Sequence, residues 1–381
     1  GSKADTSVLS GGGSAQVDPP GGGPSRFGGP AVWFPSSPLN AVRGKAPRAK
    51  VEYHDGVDVK AAAAFAKASE IAIVFVNEPT TEGRDLPSLN LSGAQNDLVS
   101  AVAAANPRTI VVLETGGPAA MPWTFSVGAA IEIWYPGIRG AEALANILFG
   151  DVNPSAKLPA TFPRSDADLP HPVIFGSDQR PTPQATPPPG GVTAPPQRFQ
   201  MKPFDIDYTE GLKVGYKWFQ AENKKPLFAF GHGLSYTSFA YSDLTATIDS
   251  VSFKVRNTGK RAGAEIAQVY ASLPASANEP PKRLVAWEKV LLSPGEAKMV
   301  TLNLDPKFLS IFNEEKDDWE LLSGDYRIFV GGASDSTHCP LPSDANGSSV
   351  AQGARPRTRP RSRTRPFRCN PRLSASNWAS H

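Results

Sequence analysis

Two unbroken apolar runs constrain this chain more than anything else in it: 71–76 (IAIVFV) and 109–113 (TIVVL). Neither alternates with polar residues, and a strand with no polar face must be covered on both sides, as the strands of parallel sheets are. Each run follows a segment with helical character. Residues 59–68 (VKAAAAFAKA) are strong helix formers, and 93–105 (GAQNDLVSAVAAA) opens after Ser92, which is placed to cap it, and stops at Asn106-Pro107. A third round puts a strand at 129–134 (AAIEIW) ahead of a helix at 140–149 (GAEALANILF). This alternation predicts an α/β fold, a mainly parallel sheet with helices on both faces.

Other parts of the chain obey other rules. Residues 1–50 are rich in Gly, Pro and Ser around an apolar island, Ala31-Val32-Trp33-Phe34, and read as a long surface loop. Residues 176–203 hold eight Pro with Gln, Thr and Gly and almost no aliphatic side chains, the composition of an extended insertion or linker. Beyond it the period switches to two. Segments 250–256, 264–271, 283–290, 298–304 and 325–330 read as short strands parted by turns such as Asn257-Thr258-Gly259 and Ser293-Pro294-Gly295, which predicts a small all-β sandwich. The expected plan is an α/β domain over 1–175, a Pro-rich linker over 176–203, the remainder of the α/β domain and a connection over 204–240, a β-sandwich over 241–333 and a disordered tail over 334–381.

Charge and composition remove several function classes. The overall charge is +3, but residues 338–381 carry eight Arg against one Asp, so the rest of the chain is mildly acidic. That Arg/Pro tail could bind nucleic acid by counterion release, yet it has no interleaved aromatics apart from Phe367 and reads better as a disordered end. Both cysteines, Cys339 and Cys369, lie in the tail, which excludes a disulfide framework or a Cys-ligated metal from the body. No run approaches the ~20 apolar residues of a membrane span. The chain starts on Gly1 rather than Met, which reads as a fragment. Gly11-Gly12-Gly13-Ser14 belongs to no phosphate-binding motif, His232 has no second His nearby, and Ser235 fails the G-x-S-x-G pattern.

The loop after 71–76 is the first candidate for chemistry. Asn77-Glu78-Pro79-Thr80-Thr81-Glu82-Gly83-Arg84-Asp85 puts three carboxylates and an Arg at the carboxyl end of a strand, where open α/β sheets bind ligands. An ordinary solvated loop has the same composition, and spacing alone leaves both readings open.

Longer motifs favour the first. Thr81-Glu82-Gly83-Arg84-Asp85 is followed by Leu89-Asn90-Leu91-Ser92-Gly93-Ala94-Gln95, then by Leu113-Glu114-Thr115-Gly116-Gly117-Pro118 with Met121-Pro122-Trp123, and by Trp134-Tyr135-Pro136-Gly137. Further on come Leu148-Phe149-Gly150-Asp151-Val152-Asn153-Pro154-Ser155-Ala156-Lys157-Leu158-Pro159, Tyr208-Thr209-Glu210-Gly211-Leu212 and Phe230-Gly231-His232-Gly233-Leu234-Ser235-Tyr236. In this order they resemble the non-barrel part of glycoside hydrolase family 3, the β-glucosidase and β-xylosidase group. The last domain resembles that family's fibronectin type III-like module through Asn257-Thr258-Gly259, Gly263-Ala264-Glu265, Gln268-Val269-Tyr270 and Gly324-Asp325-Tyr326. The resemblance runs from about residue 7 to 333.

The resemblance implies an α/β sandwich followed by the fibronectin-like domain, and a retaining, exo-acting hydrolase of terminal β-linked sugars in oligosaccharides or glucosides. It implies a (β/α)8 barrel ahead of this region carrying the Asp nucleophile, no nucleophile in this chain, no metal or organic cofactor, and neither nucleic-acid nor membrane partners. It points to a periplasmic or secreted protein. Glu82 is the position that matches the acid/base, with Glu78 as the fallback, and Glu78 and Asp85 are the candidate substrate-binding residues. Where the family commonly reads Asp-Arg and Leu-Pro-Gly, this chain has Asp85-Leu86 and Leu91-Ser92-Gly93. The rival expectation is a non-catalytic carbohydrate-binding or partner-binding module.

Overall fold

The computed structural model describes residues 1–12, 36–82, 85–173, 175 and 203–338. They fall into two compact units, Gly1–Ala145 with Pro163–Gly211, and Asn146–Phe162 with the residues from Leu212 onward.

The first unit is the α/β layer. Its elements are α1 (Pro38–Lys45), α2 (Val59–Lys67), β1 (Ala72–Glu78), α3 (Gln95–Ala105), β2 (Thr109–Thr115) and β3 (Ala129–Glu132), and α4 (Gly140–Leu148) follows. The three strands are parallel, in the order β1-β2-β3, with Val74 opposite Val111 and Leu113 opposite Glu132. Val76, Val111 and Val112 are fully buried, as an unbroken apolar run requires. Asn106-Pro107 ends α3, and the buried Asn106 amide also donates to Ala66 O and Ser69 O, each at 2.9 Å, fastening the end of α2 beside the start of β2.

Two local readings are corrected. Residues 1–50 are not all surface loop: Ser37-Pro38 starts α1, with Ser37 Oγ accepting from Asn40 N at 3.2 Å and Pro38 in the first turn, where its missing N–H has no cost. The island at 31–34 lies outside the described residues. Ser92 does not cap α3, which begins at Gln95 after Ala94 with no side-chain cap. The Ser92 N–H is taken instead by Glu78 Oε2 at 2.6 Å, and Gln95 ties the helix start to β1 by accepting from Asn77 N and donating to Asn77 O, each at 2.8 Å.

The second unit contains α5 (Tyr216–Ala221) and the all-β sandwich: β4 (Phe239–Ala246), β5 (Ser250–Asn257), β6 (Gly263–Ser272), β7 (Arg283–Leu292), β8 (Ala297–Asn303), β9 (Ile311–Asn313), β10 (Asp318–Glu320), β11 (Arg327–Gly331) and β12 (Thr337–His338). One sheet runs β12-β11-β6-β7 and the other β4-β5-β8, all antiparallel, with a short β9/β10 hairpin. Val251, Phe253 and Val255 from one sheet and Ala267, Val269, Ile328 and Val330 from the other form the core. Strand β4 escapes a period-two reading because its register shifts between Ser242 and Thr245, where Asp243 has φ 55°. The fully buried Asn257 side chain closes one end of the sandwich. It donates to Arg261 O at 2.8 Å and Leu292 O at 3.0 Å and accepts from Thr237 Oγ1 at 2.6 Å and Gly259 N at 3.0 Å.

The start of the expected disordered tail is folded. Ser334 is buried and Thr337–His338 pairs with β11, so residues 334–338 belong to the folded unit. The rest of the tail and the linker at 176–202 lie outside the described residues. Among the described residues no helix is long and apolar enough to cross a membrane.

Candidate functional site

The loop that leaves the carboxyl end of β1 is held by backbone on one side and by a tyrosine on the other. Gly12 N donates to Thr80 O at 2.9 Å and Gly12 O accepts from Glu82 N at 3.4 Å, so Gly12 and Thr81 form a parallel bridge. Only glycine permits this approach, since a Cβ at position 12 would lie 2.5 Å from Thr81 Oγ1 and 2.7 Å from Thr81 Cβ. From the other side the Tyr135 hydroxyl donates to Glu78 O at 2.7 Å and meets Thr80 N at 2.7 Å and Thr80 Oγ1 at 2.8 Å. Farther along, Asp166 accepts from Leu89 N at 2.7 Å and Ser88 Oγ at 2.6 Å, closing the base of the loop.

The sequence-predicted carboxylates occupy different surroundings. Glu82 and Asp85 are exposed on this loop, while Gly83 and Arg84 between them lie outside the described residues. Glu78 is partly buried at the strand end, and one of its oxygens is committed to the Ser92 amide. Glu82 is therefore an exposed residue on a backbone fixed from two sides, whereas Glu78 helps to shape the turn into α3.

Sequence reasoning missed two further carboxyl groups at the same end of the sheet. Glu114 of β2 is fully buried, with Oε2 accepting from Val8 N at 2.7 Å. Glu132, the last residue of β3, accepts from Thr115 Oγ1 at 3.0 Å and from Trp134 N at 2.7 Å. Burial pushes both up to about 7; the hydrogen bonds they accept oppose this, and the Glu114 charge adds to the rise at Glu132. The available signal was a Glu within each of two otherwise apolar strands, VVLET and AAIEIW.

Residues 1–236 match the description of the glycosyl hydrolase family 3 C-terminal domain. The chain belongs to glycosyl hydrolase family 3. Residues 265–334 match the fibronectin type III-like domain, which corresponds to the sandwich of the second unit. Among its relatives, a thermostable β-glucosidase B of Acetivibrio thermocellus is 37% identical over 297 residues, covering 74% of this chain and 36% of the relative. A β-glucosidase B of Emericella nidulans is 39% identical over 294 residues, with 74% and 33% covered. A β-glucosidase from Streptomyces venezuelae solved with D-glucose superposes with a TM-score of 0.61 at 40% identity, over 74% of this chain and 34% of that one. The family 3 chain thus spans about a third of the length of the curated relatives it matches.

Proposed function

We propose that this family 3 chain is the acid/base-bearing part of a β-glucosidase-like enzyme that removes terminal β-linked sugars with retention, and that Glu82 is its general acid/base. The observation that carries the reading is an exposed glutamate on the loop beyond the carboxyl end of β1, with its main chain held by Gly12 and, through Thr80, by Tyr135. The names of the relatives, β-glucosidases, support the substrate class.

Retaining hydrolysis needs two carboxyl groups roughly 5–5.5 Å apart, one attacking the anomeric carbon and one protonating the departing oxygen. In this reading the attacking Asp belongs to a (β/α)8 barrel, and Glu82 faces it across the sugar. Closing that pocket over Glu82 removes water from the carboxyl and holds the proton on it until the leaving oxygen accepts it. In the second half of the reaction the same group, now a carboxylate, draws the proton from the water that attacks the glycosyl-enzyme. Glu78 and Asp85 shape and border the loop.

The test joins this chain to a family 3 barrel and measures Glu82→Ala across leaving groups. Dinitrophenyl glucoside, whose phenolate departs unaided, should lose little in its first step, whereas disaccharides should lose about 10²- to 10⁴-fold. Equal losses for both, or the same pattern from Glu78→Ala instead, would remove Glu82 from the role and favour a binding module.

A further inference from the structure

Two neighbouring carboxyl groups at the end of a sheet, Glu114 fully buried and Glu132 half-buried, are a poor choice for stability alone, because desolvating them is unfavourable and apolar residues would fill the space better. Glu114 shows this acutely: among the described residues its Oε1 has at most the neighbouring buried Ser7 hydroxyl to meet it, and no full hydrogen bond forms there. What Glu114 and Glu132 do that apolar residues could not is accept main-chain N–H groups, and both accepted groups lead to the same loop.

From Glu114, the bond to Val8 N fixes the segment that runs four residues on to Gly12, whose carbonyl takes the Glu82 N–H. From Glu132, the bond to Trp134 N fixes a residue at φ 54°, a left-handed conformation that a tryptophan adopts only when its surroundings impose it. The next residue is Tyr135. Its single hydroxyl proton goes to Glu78 O, and its lone pairs accept from Thr80 N and Thr80 Oγ1, so the hydroxyl is fully used in holding the loop. Thr80 O in turn receives the Gly12 N–H, where the two routes meet.

We propose that Glu114 and Glu132 are positioning residues for the acid/base loop, each fixing one of the two sides from which the Glu82 main chain is held. The proposal rests on the reading of Glu82 as the acid/base for its catalytic meaning, but not for its structural content.

Hydrogen–deuterium exchange on the chain as it stands tests the structural content. Glu114→Ala and Glu132→Ala should speed exchange at residues 7–12 and 79–82 by about tenfold or more, the equivalent of one lost hydrogen bond, and leave 98–105 and 109–113 nearly unchanged. The Gln variants, which keep an acceptor in the same place, should retain the protection. Tyr135→Phe, which removes only the hydroxyl and leaves the core intact, should loosen 79–82 by itself and decides the matter if either Ala variant fails to fold. Exchange that rises evenly through the unit, or does not rise in the loop, overturns the proposal.

The catalytic arm uses the chain joined to a barrel. There Glu132→Ala should lower kcat for disaccharides more than for dinitrophenyl glucoside with KM little changed, and Glu132→Gln should restore it. If the loop loosens but this pattern is missing from both Glu132→Ala and Glu82→Ala, the acid/base reading has failed while the positioning of the loop stands.

Discussion

Raising the pH from about 5 to about 8 should weaken the α/β unit, because Glu114 and Glu132 must then either ionise in place or break free. Each is held up to about 7 in the folded chain against an ordinary value of 4.5. Between those values the folded state keeps a proton that the unfolded state has lost, so stability is fully present below about 4.5 and is lost as the pH rises through about 7. At roughly 1.4 kcal/mol per pH unit, a shift from 4.5 to about 7 corresponds to on the order of 3 kcal/mol for one group. The two repel each other when charged, so they titrate as a pair, and Lys3 partly offsets Glu114. Within the same unit the Gly1 ammonium, lowered by burial, contributes with the opposite sign, as His232 does in the other unit. The assay is urea unfolding at pH 5 and pH 8, read by hydrogen exchange at β2 and compared with the double variant Glu114→Gln, Glu132→Gln. The wild type should lose stability over that range, on the order of 3 kcal/mol, and the double variant should not fall. A wild type that loses less than about 1 kcal/mol, or a variant that falls as steeply, would refute the reasoning.

Asn257→Ala leaves two carbonyls, an N–H and a hydroxyl without their partner at a fully buried site, and should destabilise the β-sandwich by about 3 kcal/mol in thermal unfolding. Cutting the chain after Gly332 removes the Ser334 carbonyl that accepts from Gln220 at 3.1 Å and from the Lys282 ammonium at 2.6 Å. Tm should fall by about 6 °C or more, since a charged donor loses its acceptor. The chain alone should show no turnover of nitrophenyl β-glucoside, because one positioned acid without a nucleophile supplies only ~10²- to 10⁴-fold; measurable turnover by the pure chain would contradict the assignment of the nucleophile elsewhere.

The parts of the fold that follow from continuous burial were legible. The runs at 71–76 and 109–113 became β1 and β2 because an unbroken apolar strand has only one kind of home, and Asn106-Pro107 ended α3 through the backbone chemistry it advertises. What was lost turned on partners distant in sequence. Ser92 reads as a helix cap until Glu78, fourteen residues earlier, claims its N–H. The β9/β10 hairpin has strands of three residues each, too short to show a period. At the site, Glu82 stood out because a family resemblance marked its position. Glu114 and Glu132 did not, since a Glu in a strand ordinarily faces water, and nothing local reveals Val8 or a left-handed Trp134 waiting to be bound.

The central claim, that Glu82 is the acid/base, is tested most directly by azide rescue in the chain joined to a family 3 barrel. Removing the carboxyl leaves room for a small anion beside the glycosyl-enzyme, and azide needs no general base to attack. Glu82→Ala with dinitrophenyl β-glucoside should be accelerated by azide and yield β-glucosyl azide, with the configuration retained. Rescue of Glu78→Ala with no rescue of Glu82→Ala would contradict the account and move the acid/base four residues back, to the end of β1.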